Sequence, residues 1–296
     1  MCLNPLTVRI EEYVNPSTRI GKTIRCVRVP CGHCPECRTK RRLQWVFRME
    51  QESLVHEYNY FITLTYADKW LPKDGQIYKP DFQDFIKRLR TKLYREQKSK
   101  GICKNWSEFK SPKYYACGEY GDTYGRCHFH CILFSDYPVS DSLIRDSWRY
   151  GFIKYDPFTS NRAAYVVKYS QKHLFYELPE DVVAPCSLCS LALGLCYLTP
   201  ARLRYYRATK QTDVFLLNGT RVTMPRYYYE RIFSPTIRRQ ISRQKEHDRM
   251  VDELQQERKF GLLAFRGVRD RSITKWMNSY KNYNSTIIQS FHYAEI

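Results

Sequence analysis

The sequence contains no apolar run of the roughly 18 residues that a membrane-crossing helix needs. It also lacks a helix in which Trp and Phe segregate from Lys and Arg, the pattern of a bilayer-surface anchor. Neither kind of membrane attachment is expected. The opening MCLNPLTVRIEEYV has no signal-peptide core, so the chain is expected to stay in the cytoplasm where it is made. Internal repeats and low-complexity tracts are missing, which removes repeat architectures. Acidic residues are scarce: 30 stand against 49 lysines and arginines, a formal charge of +19.

That imbalance, with 15% aromatic residues, describes a surface suited to phosphate backbones and unstacked bases. A length of 296 residues leaves ample chain to bury a core. The 12 cysteines are grouped at short spacings in a long chain without an export signal. They read as metal ligands or as small buried hydrophobes in a reducing compartment, not as a disulfide framework.

Periodicity gives an order of elements. A strand KTIRCVRV leads through PCGHCPECRTKRR into a helix reaching about Val55. The strand YNYFITLTY follows, with Tyr60, Ile62 and Leu64 on one face and Phe61, Thr63 and Thr65 on the other. Phe82, Phe85, Ile86, Leu89 and Leu93 recur at three and four, the stripe of an amphipathic helix. KYYACGEYGDTYGRCHFHCILF reads as a β-hairpin broken by its glycines. A short helix near Asp141–Trp148, a strand GFIKYD and a helix capped by Thr159 or Ser160 complete the set. The expectation is an α+β unit with an antiparallel sheet over residues 1–177, and a helical, basic region of undefined fold over 178–296.

Three groups of residues carry chemistry. His128 and His130 alternate on a strand, so both imidazoles face one point, and neutral imidazole ligates Mn²⁺ or Zn²⁺ and, less readily, Mg²⁺. Glu119 lies on the other arm of the hairpin, either as a hard oxygen ligand or as a solvated turn acid. In AAYVVKYSQKH, Tyr165, Lys168, Tyr169 and Lys172 fall on one face of a helix and Ala163, Val166 and Val167 on its back. Cys31, Cys34 and Cys37 offer three thiolates, with Cys186 and Cys189 as a source of a fourth, for structural Zn²⁺; packing as reduced thiols is the alternative. An iron–sulfur site is disfavoured, because RTKRR stands where a further cysteine is needed. Arg38, Lys40, Arg41 and Arg42 give the helix a basic first turn suited to DNA.

The ordered motifs FITLTY, CHFHCILF and YVVKYSQK resemble those of HUH endonucleases that initiate rolling-circle replication. The doubled tyrosine, PCGHCPECR and GEYG narrow the likeness to replication initiator proteins of microviruses of the gokushovirus type, over about Cys31–Lys172. The resemblance implies a Mg²⁺- or Mn²⁺-dependent single-strand DNA endonuclease and ligase, with His128, His130 and Glu119 as ligands and Tyr165 and Tyr169 as nucleophiles. It implies a 5′-phosphotyrosine, a free 3′-hydroxyl for a host polymerase, a host helicase to open the duplex, and action on origin DNA in the bacterial cytoplasm. The family's usual proline before the first histidine is Cys127 here. A relaxase or transposase of the same chemistry, and a non-catalytic zinc-containing nucleic-acid binder, are the alternatives. The chemistry is consistent by itself: a phenol of pKa about 10 needs a Lewis acid on the phosphate and nearby positive charge to react at neutral pH. Lys168 and Lys172 are suited to stabilising developing charge or protonating the leaving oxygen.

Overall fold

The computed structural model describes Cys2 and residues 5–15, 20–121, 125–171 and 182–260. The chain divides into two compact units, residues 1–41 with 242–282 and residues 42–241 with 283–296.

In the first unit, β1 (Leu6–Asn15) and β2 (Ile20–Val29) form an antiparallel hairpin whose register pairs Leu6 with Val29 and Ile10 with Arg25. The start of α1 (Pro35–Ser53) and the later part of α7 (Pro235–Phe260) belong to the same unit. Arg25 Nη1 lies 2.9 Å from Glu246 Oε2, and Arg28 pairs with Glu253 at 3.8 Å. Both α7 acids come from its charged 242–260 stretch, so this helix is held through its polar side and not through an apolar stripe.

The second unit is built on a five-stranded antiparallel sheet. Its strands are β3 (Tyr58–Tyr66), β4 (Lys113–Tyr120), β5 (Cys127–Ser135), β6 (Gly151–Pro157) and β7 (Cys186–Cys189), in the order β6-β3-β5-β4-β7. Side chains alternate across a strand, so the sheet has two faces of different character. Ile62 and Leu64 of β3 and Phe129, Cys131 and Leu133 of β5 pack beneath α2 (Lys79–Ser99) and α3 (Asp141–Ser147). The α2 stripe of Phe82, Phe85, Ile86, Leu89 and Leu93 is buried as expected. Each such side chain contributes roughly 1.5–3 kcal/mol of transfer free energy.

On the opposite face, Ile132, Phe134, Tyr115 and Phe61 meet Val46, Phe47 and Met49 of α1 and Ala163, Val166 and Val167 of α4 (Ser160–Ser170). Thr159 caps α4, its hydroxyl accepting from the Arg162 N–H. Four elements that sequence periodicity did not resolve pack on this side: α5 (Pro200–Thr209), α6 (Arg226–Ile232) and the short pair β8 (Asp213–Phe215) and β9 (Arg221–Thr223). The α1/α4 layer covers only part of the face. Thr63, Thr65, His128, His130, Glu119, Phe152 and Lys154 belong to that same face by register, and they form the site.

Candidate active site

The register fixes which side chains meet. β3 and β5 pair Thr63 with His130 and Thr65 with His128, while β4 and β5 pair Glu119 with His128. Three neighbouring strands therefore contribute residues to one spot. Glu119 Oε1 lies 3.0 Å from His128 Nε2 and 2.9 Å from His130 Nε2, and the two Nε2 atoms are 3.2 Å apart. Glu119 is 1% exposed, so the reading of it as a solvated turn acid is replaced by a buried carboxylate facing two imidazoles. Burial pushes its carboxyl pKa up, but the hydrogen bonds and charge of His128 and His130 outweigh burial and hold it below the ordinary value.

The backs of the rings say what the fronts are for. His128 Nδ1 is 3.1 Å from the Arg126 carbonyl, which can only accept, so this nitrogen carries the proton and Nε2 keeps its lone pair. His130 Nδ1 is 3.0 Å from the Thr63 hydroxyl, which can accept in the same way. Two lone pairs and a carboxylate then point at one another, an arrangement that is stable only around a cation. Two nitrogens and one hard oxygen, with each ring braced from behind, suit a divalent metal such as Mn²⁺, Mg²⁺ or Zn²⁺. Thr63 was visible as part of an alternating strand but not as a bracing group; only the β3–β5 register brings it to His130.

The tyrosine helix stands over this spot. The Tyr165 ring is 5.2 Å and the Tyr169 ring 6.3 Å from the His130 ring, centroid to centroid, and the two phenols are 4.3 Å from each other. Tyr165 is 41% exposed. Tyr169 is half-buried against the α1/α4 core, and Lys168 Nζ lies 5.8 Å from its ring centroid. Lys172 lies outside the described residues. Phe61 stacks on His130 at 5.4 Å and meets Tyr165 edge-on at 6.3 Å, which fixes the imidazole from a third side.

Cys127, at the position of the family's proline, is buried on the far face of the sheet, where desolvation pushes its thiol up to about 12. It acts as a small hydrophobe and leaves His128 on the opposite side. Of the basic turn, Lys40 and Arg41 are exposed, Arg42 is half-buried and Arg38 is buried. Cys31, Cys34 and Cys37 do converge, and the fourth sulfur among them is Cys2. Cys186 and Cys189 are elsewhere, at the two ends of β7, whose register sets them opposite Gly118 and Tyr115 of β4.

A helix-flanked antiparallel sheet, with a His-x-His pair on its middle strand and a tyrosine helix on the same face, defines an HUH-like α+β protein. Comparison with known proteins agrees. Residues 59–174 match the family model of the replication-associated protein ORF2. Replication-associated protein VP4 of Bdellovibrio phage phiMH2K is 30% identical over 252 residues, covering 77% of this chain and 76% of that one. Replication-associated protein ORF4 of Chlamydia phage 1 is 28% identical over 244 residues, 74% of this chain and 56% of that longer protein. Replication-associated protein ORF2 of Spiroplasma virus 4 is 27% identical over 232 residues, 69% and 67% of the two chains. No solved structure matches. The chain belongs to the family of phage replication-associated proteins, the microvirus replication initiators. Among the described residues no helix is long and apolar enough to cross a membrane.

Proposed function

We propose that the protein nicks single-stranded origin DNA and rejoins it by tyrosine attack on a phosphodiester. The observation that carries this reading is the meeting of Glu119, His128 and His130 with two phenols 4.3 Å apart. A Mg²⁺ or Mn²⁺ ion held by those three side chains supplies the charge that polarises the scissile phosphate. The chain's own groups do the rest. A phenolic oxygen of Tyr165 or Tyr169 attacks phosphorus, forming the Tyr–O–P bond as the P–O3′ bond breaks. The phenol loses its proton and the departing 3′ oxygen gains one, with Lys168 and Lys172 as the cationic partners. The products are a 5′-phosphotyrosine and a free 3′-hydroxyl, the end that a host polymerase extends while a host helicase opens the duplex. Because the phosphoester is conserved, attack by a later 3′-hydroxyl reverses the link without ATP.

The sheet also offers a path for the strand. Register sets Phe152 opposite Thr65 and Lys154 opposite Thr63, so the edge strand β6 presents both on the face of His128 and His130, about 10 Å from them across two strand spacings. Phe152 is 67% exposed, unusual for a phenylalanine, and Lys154 is exposed beside it. An aromatic face for a base and an ammonium for a phosphate are what single-strand binding uses. Incubating the protein with origin-bearing single-stranded DNA and Mn²⁺ separates this reading from a non-catalytic binder. The enzyme yields a shortened strand and a protease-sensitive, SDS-resistant adduct; a binder yields only a shift in native gels.

A further inference from the structure

Twelve cysteines are spread along the chain, and most of the buried ones serve singly as apolar filler of the sheet: Cys103, Cys117, Cys127 and Cys131. Four behave differently. The sulfurs of Cys2, Cys31, Cys34 and Cys37 all lie within 4.8 Å of one another, within the first compact unit. Cys2 Sγ is 3.5 Å from Cys31 Sγ and 3.8 Å from Cys34 Sγ. With Zn–S bonds of about 2.3 Å, the edge of a tetrahedron of thiolates around one zinc is about 3.8 Å. A disulfide would need a separation of about 2.05 Å, and a multi-iron cluster holds its thiolates around a larger volume than a single ion.

The fold explains why a residue 29 positions away joins a local CxxCxxC. β1 and β2 pair Leu6 with Val29, so the chain just before β1 and the chain just after β2 emerge side by side at the open end of the hairpin. Cys2 and Cys31 sit on those two emerging segments. Cys34 then immediately precedes α1, and Cys37 lies in its first turn, where the helix dipole favours negative charge. Backbone amides also aim at the sulfurs: the Cys31 N–H donates to Cys2 Sγ and the Cys34 N–H to Cys31 Sγ, both at 3.3 Å. Neutral thiols are poor acceptors, whereas metal-bound thiolates accept such bonds well.

We infer that Cys2, Cys31, Cys34 and Cys37 form a closed tetrahedral site for one structural zinc ion, with Cys2 as the ligand that clasps the chain's first residues to the start of α1. The site is complete without Cys186 and Cys189, and it shares no residue with the histidine–carboxylate site. Four thiolates leave no open coordination position, so the ion has no place for substrate and acts on folding alone.

The test is metal analysis and cobalt spectroscopy of the purified full-length protein. The parent should hold about one zinc per chain through dialysis, and after exchange with Co²⁺ it should show the intense visible absorption of a tetrahedral thiolate site. Cys2→Ser should release zinc to a chromogenic chelator with at least about tenfold weaker retention, since even outer-shell changes at zinc sites cost that much. Cys2→His should restore much of the retention, because imidazole is a zinc ligand and a merely packed cysteine would gain nothing from it. The Cys186→Ser, Cys189→Ser double variant should match the parent. The inference is overturned if the parent holds no zinc, if its mass shows two hydrogens lost to a disulfide, or if Cys2→Ser retains zinc as tightly as the parent.

Discussion

The rings of Tyr165 and Tyr169 stand 4.3 Å apart, one helical turn from each other, and both lie near the same imidazole, that of His130. The pairing answers a requirement of circular replication. After one circuit the regenerated origin must be cut while the first tyrosine still holds the old 5′ end, so a second phenol must reach the same phosphate. Tyr165→Phe and Tyr169→Phe are each expected to retain initial nicking and to lose release of closed circles, measured on a circular single-stranded origin template with repeated turnover. If one single variant loses all cleavage and the other completes normal multi-round release, the alternation is wrong.

Replacing His128 or His130 with Ala should remove Mn²⁺-dependent nicking while leaving most single-strand affinity, which rests on many phosphate and stacking contacts. A subtler variant tests the brace. Thr63→Val removes the group 3.0 Å from His130 Nδ1 at nearly constant volume. The Mn²⁺ concentration for half-maximal nicking should rise about 10- to 100-fold, with activity recovered at saturation. A lowered plateau with unchanged Mn²⁺ dependence would show that Thr63 does not act through the ligand.

The proposed strand path over β6 can be read in binding alone. Phe152→Ala should weaken single-strand affinity by about 1–3 kcal/mol, the usual worth of one stacked base. Lys154→Ala should reduce the slope of log affinity against log salt by about 0.7, one phosphate's share for a single strand. Fluorescence anisotropy over a salt series separates the two. Parental binding by both variants would move the path off this edge of the sheet.

Stability should carry a pH signature from a buried charge network away from the candidate catalytic site. His56 sits between Glu52, at 2.9 Å, and Asp136, at 2.6 Å, while Glu52 also meets Lys113 at 2.8 Å and accepts from the Gly194 N–H. Burial pushes the His56 pKa down, but the hydrogen bonds and charges of Glu52 and Asp136 overcome it, and the net shift is upward. Glu52 shifts the other way: burial raises its pKa, and the bonds from His56, Lys113 and Gly194 lower it further than burial raises it. A raised histidine stabilises the fold fully below its unfolded pKa of about 6.5, and that contribution fades as pH climbs through the folded value. A depressed carboxylate contributes above about 4.3 and fades as pH falls through its folded value. His56→Gln should therefore cost about 1–3 kcal/mol near pH 6, with the gap from the parent narrowing as pH rises towards about 9. Thermal melts of the pair across that range check it; a constant gap would mean that His56 contributes packing and not charge.

Much of this was legible in sequence because its signals are local. The two-residue period of β3 and β5 put His128 with His130 and Thr63 with Thr65, and the helical period of α4 put its phenols on one face and Ala163, Val166 and Val167 in the core. What was not legible depends on register between distant strands. Glu119 read equally well as a turn acid until β4 paired it with His128. Cys2 has no sequence neighbour that marks it as a ligand, and β1, which carries it to Cys31, was not resolved as a strand. Past residue 177 the apolar residues are spread over short elements such as β7, β8 and β9, each of three or four residues, too short for any period to show.

The central claim is that these two phenols become joined to DNA, and peptide mapping of the adduct tests it most directly. The protein is incubated with Mn²⁺ and a single-stranded origin oligonucleotide, digested with nuclease and protease, and analysed by mass spectrometry for a nucleotide-bearing peptide. The account predicts a 5′-linked nucleotide on Tyr165 or Tyr169, and no adduct of any kind in the Tyr165→Phe, Tyr169→Phe double variant. A nucleotide on another residue, or an adduct that persists in the double variant, would contradict it.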